Sequence, residues 1–541
     1  MAKRLTAFSK LLIVFLIIGA LVFGLSQMGV LDKIINNDDN DTNITNVDRD
    51  NDRDNSNTEP RRTNDNRGGS DGDVINVGVV TWGGYAGGQY FNEGFEANTK
   101  SRFYKDYGFK VDFKIIDNFD ASRKAFENDE IDLLWCTIDA FPTESGVLAG
   151  NPKIVFQADW SRGGDAIVVK RGITNVSQLK GKTVTYAPMS PSHSFLIELL
   201  NAGGLEIDDI KHLPKADAIE AAATFKSGLA DAAVVWSPDD EDCIRKVPGS
   251  KILQNSRSAT NIIADGFMAK TSYIQNNRER LQQLYEGWMK GAAEINSSDK
   301  NKEKAAKILS EGLGTPIADA RAAIDNVRLA THGDNLDFFG LNPQYTGTTA
   351  EELYRKMKGK YREVGKKRSP NKETGDLIVA SIDKAPAWRT VSYLTAIQTT
   401  NLSGRTHAAE SRKFAPVTKD EETRPAIATK QASISFRTGE FQLDENAKRI
   451  IDLEFADIAK TFAGSRIRIE GNSDNTGNYA NNVALSKKRA QSVANYLRDT
   501  YKMDINRFIV IGNGPDKPVC NQNTDACRSK NRRTDFELVG T

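Results

Sequence analysis

Hydrophobic and polar positions divide the chain into regions with different periodicities. Residues 11–31 contain no charged side chain, whereas residues 36–73 contain almost no apolar one. From Val74 to about residue 398, short apolar runs alternate with stretches whose apolar residues recur every three or four positions. A polar stretch follows, and a second alternating pattern continues to the C-terminus. The pattern predicts a membrane segment, a polar tether and two folded modules joined by a linker.

The N-terminal pattern predicts a membrane anchor. A basic flank at residues 1–10 precedes the uncharged residues 11–31, which are long enough as a helix to span a bilayer core. Because basic flanks stay in the cytoplasm, we predict a single-pass inner-membrane protein whose bulk lies in the periplasm. Residues 32–73 are predicted as a disordered linker, since they cannot bury enough apolar surface to order themselves. A cleaved signal peptide is the alternative, although its apolar region is usually shorter.

Residues 74–398 contain strand and helix patterns in alternation. This alternation predicts an α/β module with a parallel sheet and helices on both of its faces. Ligands of open α/β sheets bind beyond the carboxyl ends of the strands. That rule selects candidate solute-binding residues that follow a predicted strand or open a helix, namely Trp82, Gly83, Tyr85, Thr137, Asp139, Ser190, Ser192, His193, Trp236 and Asp265.

An ordinary structural role is also open to these candidates. Trp82 and Tyr85 can be core aromatics, and Asp139 can cap the helix that follows it. As ligand groups, Trp and Tyr beside Asp suit an organic cation or amine. The serine-rich helix start at residues 190–192 suits an oxyanion instead, because free N–H groups at a helix N-terminus bind anions. The residues leave both ligand classes open.

Several short motifs follow one another through the first module. They are WGGY at 82–85, DLLWCTID at 132–139, LKGKTV at 179–184, AAVVWSP at 232–238 and DGFMAK at 265–270. Their order resembles that of ABC-transporter-type periplasmic substrate-binding proteins, in the nitrate, sulfonate and taurine branch, from about Val74 to Gly365. The resemblance implies two α/β lobes with a solute cleft between them.

The C-terminal module, residues 431–541, shows a second alternation after a linker at residues 399–430. Ala432–Phe436 alternates like a strand, and Asp444 is the predicted N-cap of the helix that follows it. Further strand and helix patterns then complete a βαβαβ-type α+β domain with a fourth strand. The length suits a single domain.

An acid and a base lie close to a predicted helix start in this module. Asp474 falls in the loop within Gly471–Leu485, and Ser486 is the predicted N-cap of a helix that carries Arg489 in its first turn. Such a pair suits a ligand that carries both an ammonium and a carboxylate group. The alternative is that Asp474 is a turn residue and Arg489 a surface cation.

The same stretch supplies a motif at many fixed offsets. The matching positions are Gly471, Ser473, Asp474, Gly477, Asn482, Leu485, Ser486, Arg489, Ala490, Val493, Leu497, Gly512, Gly514, Asn531, Arg532 and Arg533. This pattern resembles OmpA-like peptidoglycan-binding domains. The resemblance implies that Asp474 binds the ammonium and Arg489 the carboxylate of diaminopimelate in the stem peptide, with Ser473, Asn482 and Arg533 completing the peptidoglycan site.

Composition narrows the class of protein. The chain has 73 basic and 72 acidic residues, a balance that argues against nucleic-acid binding. Four cysteines in 541 residues exclude a disulfide scaffold. Cys520 and Cys527 are a candidate disulfide, and Cys136 and Cys243 are predicted to be unpaired. The cysteine spacing does not suit zinc, so no metal or cofactor is predicted.

Binding rather than catalysis is the predicted activity. The chain has only 4 His, and it shows no nucleophile elbow, metal-spaced His pair or P-loop. We therefore predict a membrane-anchored envelope protein that binds peptidoglycan and a small solute, with a membrane-protein partner left open. One alternative is a scaffold whose lobes have no small-molecule ligand, and a less favoured one is a cell-wall enzyme.

Overall fold

The computed structural model describes residues 74–400, 402, 413–432, 434, 436 and 439–540, all within one compact unit of residues 66–541. The predicted membrane anchor at 11–31 and disordered linker at 32–73 lie outside the described residues. Within the described ranges, no helix has both the length and the apolar character required to cross a membrane.

The first module contains strands and helices in alternation, as predicted. Its strands are β1 (Val74–Val79), β2 (Lys110–Ile115), β3 (Leu133–Thr137), β4 (Lys153–Ser161), β5 (Asp165–Val169), β6 (Thr183–Tyr186), β7 (Lys211–Pro214), β8 (Ala232–Trp236), β9 (Lys251–Asn255), β10 (Ala264–Ala269) and β11 (Val327–Leu329). Its helices are α1 (Ala86–Phe91), α2 (Arg102–Tyr107), α3 (Phe119–Glu127), α4 (Pro191–Ala202), α5 (Ala218–Lys226), α6 (Asp239–Lys246), α7 (Thr271–Asn276), α8 (Arg278–Ser297), α9 (Asp299–Leu313), α10 (Ile317–Asp325), α11 (His332–Phe338), α12 (Ala350–Lys366), α13 (Lys372–Lys384), α14 (Trp388–Val391) and α15 (Thr395–Thr399).

These strands form two sheets, and each sheet is the centre of one lobe. The sheet of the first lobe has the order β11-β4-β10-β3-β1-β2, and that of the second has the order β7-β6-β8-β5-β9. The chain crosses from the first lobe to the second between β4 and β5, and it returns between β9 and β10. The hydroxyls of Ser161 and Ser256 lie 2.7 Å apart and join the two crossovers.

Both sheets are mixed, so the predicted parallel sheet is wrong in part. β1 pairs in parallel with β2 and β3, but β10 is antiparallel to β3 and β4. In the second lobe β5 is antiparallel to β8 and β9. The antiparallel strands β5 and β10 are those that begin directly after a crossover, where the chain enters a sheet without a preceding helix.

Trp288 on α8 packs the core of the first lobe. Its indole is fully buried and lies 4.7 Å from the Phe267 ring, centroid to centroid. Gly87 and Gly88 let α1 approach it, because a Cβ at Gly88 would come within 2.5 Å of the Trp288 ring. Helix α1 ends at Phe91, and the chain turns at Glu93, which has a φ of 56°.

Helix α12 contacts both lobes and so joins them at a place other than the crossovers. Tyr361 hydrogen-bonds to Ser194 on α4 of the second lobe, with 2.9 Å between the two hydroxyls. About two helical turns earlier, the Tyr354 hydroxyl lies 3.1 Å from that of Ser145 in the first lobe. Helices α13 and α14 pack beside α12 and extend this connection.

The C-terminal domain has one mixed sheet covered by helices. Its elements are α16 (Lys419–Thr423), β12 (Ala426–Ala432), α17 (Glu445–Ile451), a π-helical turn (Asp452–Ala456), α18 (Asp457–Thr461), β13 (Arg466–Asn472), α19 (Tyr479–Tyr501), β14 (Phe508–Gly514), α20 (Asp525–Asn531) and β15 (Thr534–Val539). The strand order is β12-β15-β13-β14, with β13 parallel to β14 and antiparallel to β15. The rings of Phe455 and Phe536 stack with centroids 4.7 Å apart and join helix to sheet.

Two boundaries in this domain differ from the prediction. The first strand is Ala426–Ala432 rather than Ala432–Phe436, so it occupies the end of the expected linker. Helix α19 begins at Tyr479, because the Asn478 side chain caps it by accepting a 3.1 Å hydrogen bond from the Asn481 N–H. Ser486 is therefore inside the helix and is not its N-cap.

The C-terminal domain contacts the second crossover of the first module. Asn261 in that crossover donates its backbone N–H to the Thr461 carbonyl at 3.2 Å, and Gly464 donates to the Ser258 carbonyl at 3.0 Å. The Asn261 side chain adds a 3.0 Å hydrogen bond to the carbonyl of Lys460. The domain is thus attached to a segment that links the two lobes.

Candidate functional site

A closed cleft lies between the two lobes at the ends of β1, β3 and β8. Its lining residues come from both lobes and from the second crossover, and they are Val80, Trp82, Trp135, Asp165, Pro191, Trp236, Ile263 and Asp265. The free space left is about 10 Å³, roughly the room that one water molecule needs. The lobes are therefore in contact across the cleft.

Aromatic rings form most of this contact. Trp82 from the first lobe meets Trp236 from the second, with ring centroids 6.3 Å apart in a T-shaped arrangement. Phe119 lies 5.3 Å from Trp135 and 5.9 Å from Trp236 and so links these two indoles. Gly164 fits against Trp82, because a Cβ there would lie 2.2 Å from the indole.

Buried carboxylic acids surround the same rings. The Trp82 Nε1–H points to both carboxylate oxygens of Asp159, at 3.3 and 3.4 Å. The Tyr85 hydroxyl donates to Asp265 Oδ1 at 3.0 Å. Asp139 accepts a long 3.4 Å hydrogen bond from the N–H of Ala264. The candidates Trp82, Tyr85, Asp139 and Asp265 are thus placed together.

Burial raises the pKa of each of these carboxyl groups. It raises the pKa of Asp139 to about 7, and it raises that of Asp159 to about 8 although Trp82 opposes the shift. The pKa of Asp165 is raised to about 7 by burial against a hydrogen bond from Ser161. For Asp265, burial and the neighbouring charges of Asp159 and Asp165 raise the pKa well above its usual value.

The remaining solute-site candidates have structural partners. Gly83 packs against α10, where a Cβ would meet the Ala323 carbonyl oxygen at 2.3 Å. Ser190 precedes α4, but its hydroxyl donates to the Ala187 carbonyl instead of capping the helix. Thr137 is buried, and a hydrogen bond from its side chain opposes the rise that burial causes in the pKa of Asp139.

Two further solute-site candidates, Ser192 and His193, lie on α4. Ser192 accepts a 3.1 Å hydrogen bond from Trp236 Nε1 and so holds one wall of the cleft. His193 accepts a 3.1 Å hydrogen bond from the Met189 N–H, and burial lowers its pKa to about 3. A neutral imidazole at this position supplies no positive charge for an anion.

A second cavity, of about 180 Å³, lies in the C-terminal domain. Its lining residues are Ile434, Phe436, Gly471, Asn472, Arg489, Ser529, Arg532, Arg533 and Thr534. Gly471 keeps the strand close to α19, because a Cβ there would lie 2.0 Å from the Ser486 carbonyl oxygen. The Ser486 hydroxyl in turn accepts a 3.0 Å hydrogen bond from the Gly514 N–H and ties α19 to β14.

Arg489 lines this cavity, and Asp474 pairs with Arg532, another of its lining residues. Arg489 donates from Nε to the Glu440 carbonyl at 3.0 Å, and its guanidinium carbon lies 4.9 Å from the centroid of the Phe436 ring. Burial lowers the pKa of Arg489, the like charge of Arg532 lowers it further, and Asp474 opposes both. The three charged groups therefore act on one another.

Arg532 is the residue of this site that the sequence prediction missed. Its guanidinium forms a 2.5 Å ion pair with Asp474 Oδ2, whereas the predicted Arg533 is used by a bidentate pair with Asp535 at 2.9 and 2.8 Å. Burial raises the pKa of Asp474, and Arg532 and Thr476 outweigh that effect and lower it. The adjacent arginines of the NRR motif both line the cavity, and the sequence did not show which of them pairs with Asp474.

Ser473 and Asn482 shape the loop that carries Asp474. The Ser473 backbone N–H donates to the Gly514 carbonyl at 2.8 Å, and its hydroxyl donates to the Asp474 carbonyl. Asn482 Nδ2 donates to the Thr476 carbonyl at 2.9 Å. These bonds hold the loop in place.

The cleft has its own missed residues. Asp159 lies near the carboxyl end of β4, where the carboxyl-end rule could have selected it, whereas Trp135 lies in the middle of β3. Asp165 opens a strand and gave no such signal.

In the C-terminal domain Cys520 and Cys527 are joined in a disulfide, and Cys136 and Cys243 are buried free thiols. Among the described residues no cluster of His, Cys, Asp and Glu could hold a metal ion.

Family models match two parts of the chain. Residues 435–532 match the OmpA family, and residues 95–310 match the NMT1-like family. The chain therefore joins an NMT1-like domain, of the kind found with sulfonate-binding proteins, to a C-terminal OmpA domain.

Individual relatives resemble one part or the other. Outer membrane porin F of Pseudomonas aeruginosa is 31% identical over 127 residues, 23% of this chain and 36% of that protein. The putative aliphatic sulfonates-binding protein of Escherichia coli is 26% identical over 156 residues, 28% of this chain and 46% of that protein. The chain thus spans less than half the length of these two curated relatives.

A solved structure resembles the first module. The periplasmic aliphatic sulphonate binding protein SsuA of Escherichia coli shows 17% sequence identity with a TM-score of 0.44. The comparison covers 60% of this chain and 99% of that one.

Proposed function

We propose that this chain is a cell-envelope protein that holds peptidoglycan through its C-terminal domain and binds a small solute in the cleft of its two-lobed module. Both activities are binding rather than catalysis. The predicted segment at residues 11–31 would anchor the chain in the inner membrane, with the two modules in the periplasm.

One arrangement carries the peptidoglycan proposal. Arg489 and Arg532 line one small cavity, and the carboxylate of Asp474 interacts with both of them. The terminal amino-acid centre of diaminopimelate has one ammonium and one carboxylate. Asp474 accepts the ammonium, and Arg489 holds the carboxylate through its guanidinium fork. Binding of that carboxylate offsets the burial and the repulsion from Arg532 that together lower the pKa of Arg489.

A comparison of wall chemistries tests this assignment. We expect the full-length chain, in a non-ionic detergent, to co-sediment with sacculi whose stem peptides contain diaminopimelate. Sacculi with lysine at the same position lack the side-chain carboxylate, and they should retain at most about a tenth of the chain, since a lost charged contact costs at least about 1.4 kcal/mol. Free meso-diaminopimelate should release the bound chain, whereas cadaverine, which has ammonium groups but no carboxylate, should not. Equal sedimentation with both wall types would rule out recognition of this centre.

The solute proposal is supported by the closed cleft, whose walls come from both lobes. Two lobes joined by two crossovers can separate and close around a ligand, and a ligand that contacts both lobes favours the closed form. The alternative is a scaffold in which the lobes are permanently closed. It is favoured by one observation, the free space of about 10 Å³ in the cleft.

A further inference from the structure

We propose that the cleft between the lobes takes a small organic ammonium cation that also carries an oxygen acceptor. This inference rests on the solute-binding function proposed above and assigns its ligand class. It differs from what the sulfonate-binding relative's name would suggest for this cleft.

The first observation is the charge of the lining. Asp165 and Asp265 line the cleft and are 2% and 5% exposed, and Asp159 lies directly behind Trp82. The described residues that line it include no Lys, Arg or His. A sulfonate there would meet carboxylates without a compensating cation, whereas an ammonium group would neutralise them.

The second observation is the aromatic wall. Trp82, Trp135 and Trp236 all line the cleft, and they reach it from both lobes. Indole faces attract alkylated ammonium groups through the ring quadrupole and bury their methyl groups at the same time. A ring wall beside buried carboxylates therefore fits an alkylammonium group better than it fits a hydrated metal ion.

The third observation is independent of the acidic cluster. Trp135 is 2% exposed, and its Nε1–H is buried without an acceptor. Buried N–H groups in native proteins almost always have a partner, so this donor indicates an acceptor on the ligand. A hydroxyl or carboxylate oxygen a few bonds from the ammonium nitrogen would supply it.

Isothermal titration of the full-length chain with matched small molecules tests the ligand class. Choline carries a quaternary ammonium and a hydroxyl, and 3,3-dimethylbutan-1-ol is its uncharged isostere. Ethanesulfonate represents the anionic class. We expect choline to bind at least tenfold more tightly than the isostere and ethanesulfonate not to bind at the same concentrations.

Variants locate the site. Asp265→Asn keeps an acceptor for the Tyr85 hydroxyl but removes the charge, and it should weaken choline binding at least tenfold. Asp165→Asn should do the same independently. Asp132→Asn is the control, since Asp132 is a partly buried carboxylate of the first lobe that lies away from the cleft and accepts the Asn76 N–H at 2.8 Å. It should leave the affinity within twofold.

Affinity should rise with pH between about 6 and 8. The carboxyl groups of the empty cleft have raised pKa values, about 7 for Asp165, and must lose protons before they pair with a cation. Calorimetric titrations in two buffers with different ionisation enthalpies give the number of protons released on binding, and so measure this coupling. The titratable and charged groups that act on Asp165 and Asp265, or on their immediate neighbours, are Tyr85, Arg123, Cys136, Asp139, Glu144, Asp159, Arg162 and Asp240.

The outcomes separate this inference from the proposed function. If ethanesulfonate binds and choline does not, the cation assignment is overturned, but the proposed solute binding still holds. Equal binding of choline and its isostere, or choline binding unchanged in both Asp265→Asn and Asp165→Asn, would also overturn it. Failure of every probe would count against solute binding itself and favour the scaffold.

Discussion

Arg489→Ala should weaken binding to diaminopimelate-containing sacculi by about a hundredfold. The substitution removes the guanidinium that holds the ligand carboxylate, and loss of one partner from a desolvated charge pair costs about 2–5 kcal/mol. Co-sedimentation across a range of sacculus concentrations gives the ratio of apparent affinities. Arg489→Lys keeps the charge but loses the planar fork, so it should lie between the wild type and the alanine variant.

The same helix supplies a control. Arg498 is exposed, pairs with the neighbouring Asp499 at 2.7 Å, and lies nine residues from Arg489, on the opposite face of α19. Arg498→Ala should bind like the wild type, because an exposed ion pair contributes little. Asp474→Ala should lose binding as Arg489→Ala does. Undiminished sedimentation of both site variants would refute the assignment of this cavity.

Glu198→Ala should lower the free energy of unfolding by about 3 kcal/mol. Glu198 on α4 is 1% exposed and pairs with Lys356 at 3.2 Å and Lys360 at 2.9 Å. The same lysines pair with Asp457 of the C-terminal domain at 2.9 and 3.3 Å. Removal of Glu198 leaves two lysine charges with one carboxylate, and breaking a buried pair in this way is costly.

Urea denaturation at neutral pH measures this loss. Glu363→Ala is the control, because Glu363 on α12 forms an exposed ion pair with Lys366 and should change the free energy of unfolding by less than about 1 kcal/mol. A double-mutant cycle between Glu198→Ala and Asp457→Asn gives the coupling across the lysines. A loss below about 1 kcal/mol for Glu198→Ala would show that the network is no more than a surface cluster.

The ion pairs of Asp457 with Lys356 and Lys360 also predict how the stability of the protein depends on pH. Burial raises the pKa of Asp457, but Lys356 and Lys360 outweigh it and lower the value to about 2. A carboxyl group whose pKa is lower in the folded state stabilises that state above its unfolded pKa of about 4. Its contribution is therefore full above about pH 4 and is lost as the pH falls toward about 2. Asp457→Asn should flatten this part of the stability curve.

Periodicity predicted the element types well but not how the strands pair. The alternation of strands and helices is present in both modules, because local burial patterns depend on the same side chains that form the cores. The antiparallel directions of β5 and β10 follow from the two crossovers, which join distant parts of the chain and leave no local pattern.

Helix starts show the same limit. Asn478 and Ser486 are both good N-cap residues, so the sequence alone could not choose between them. The structure uses Asn478 as the cap, because the Ser486 hydroxyl is required for the Gly514 N–H on β14. The role of Ser486 is therefore set by a contact with a distant strand and not by its local sequence.

The candidate sites were predictable to different degrees. Asp474 and Arg489 came from a dense motif, and in the structure Arg489 lines the cavity while Asp474 pairs with the lining residue Arg532. The cleft residues came from a rule about strand ends, so Trp82 and Asp265 were found, while Asp165 was missed. Arg532 and Arg533 are adjacent, and only their packing shows that Arg533 pairs with Asp535 and Arg532 with Asp474.

The hydrogen bonds between the C-terminal domain and residues 256–263 have a mechanical consequence. Separation of the lobes bends this crossover, and Ser258 and Asn261 within it hold Gly464 and Thr461 of the domain. Lobe separation must therefore carry the domain along or break these bonds. Under the proposed function, a pull on the C-terminal domain acts both on this crossover and, through the pairs of Asp457 with Lys356 and Lys360, on α12, so tension at one end of the chain would bear on the opening of the cleft.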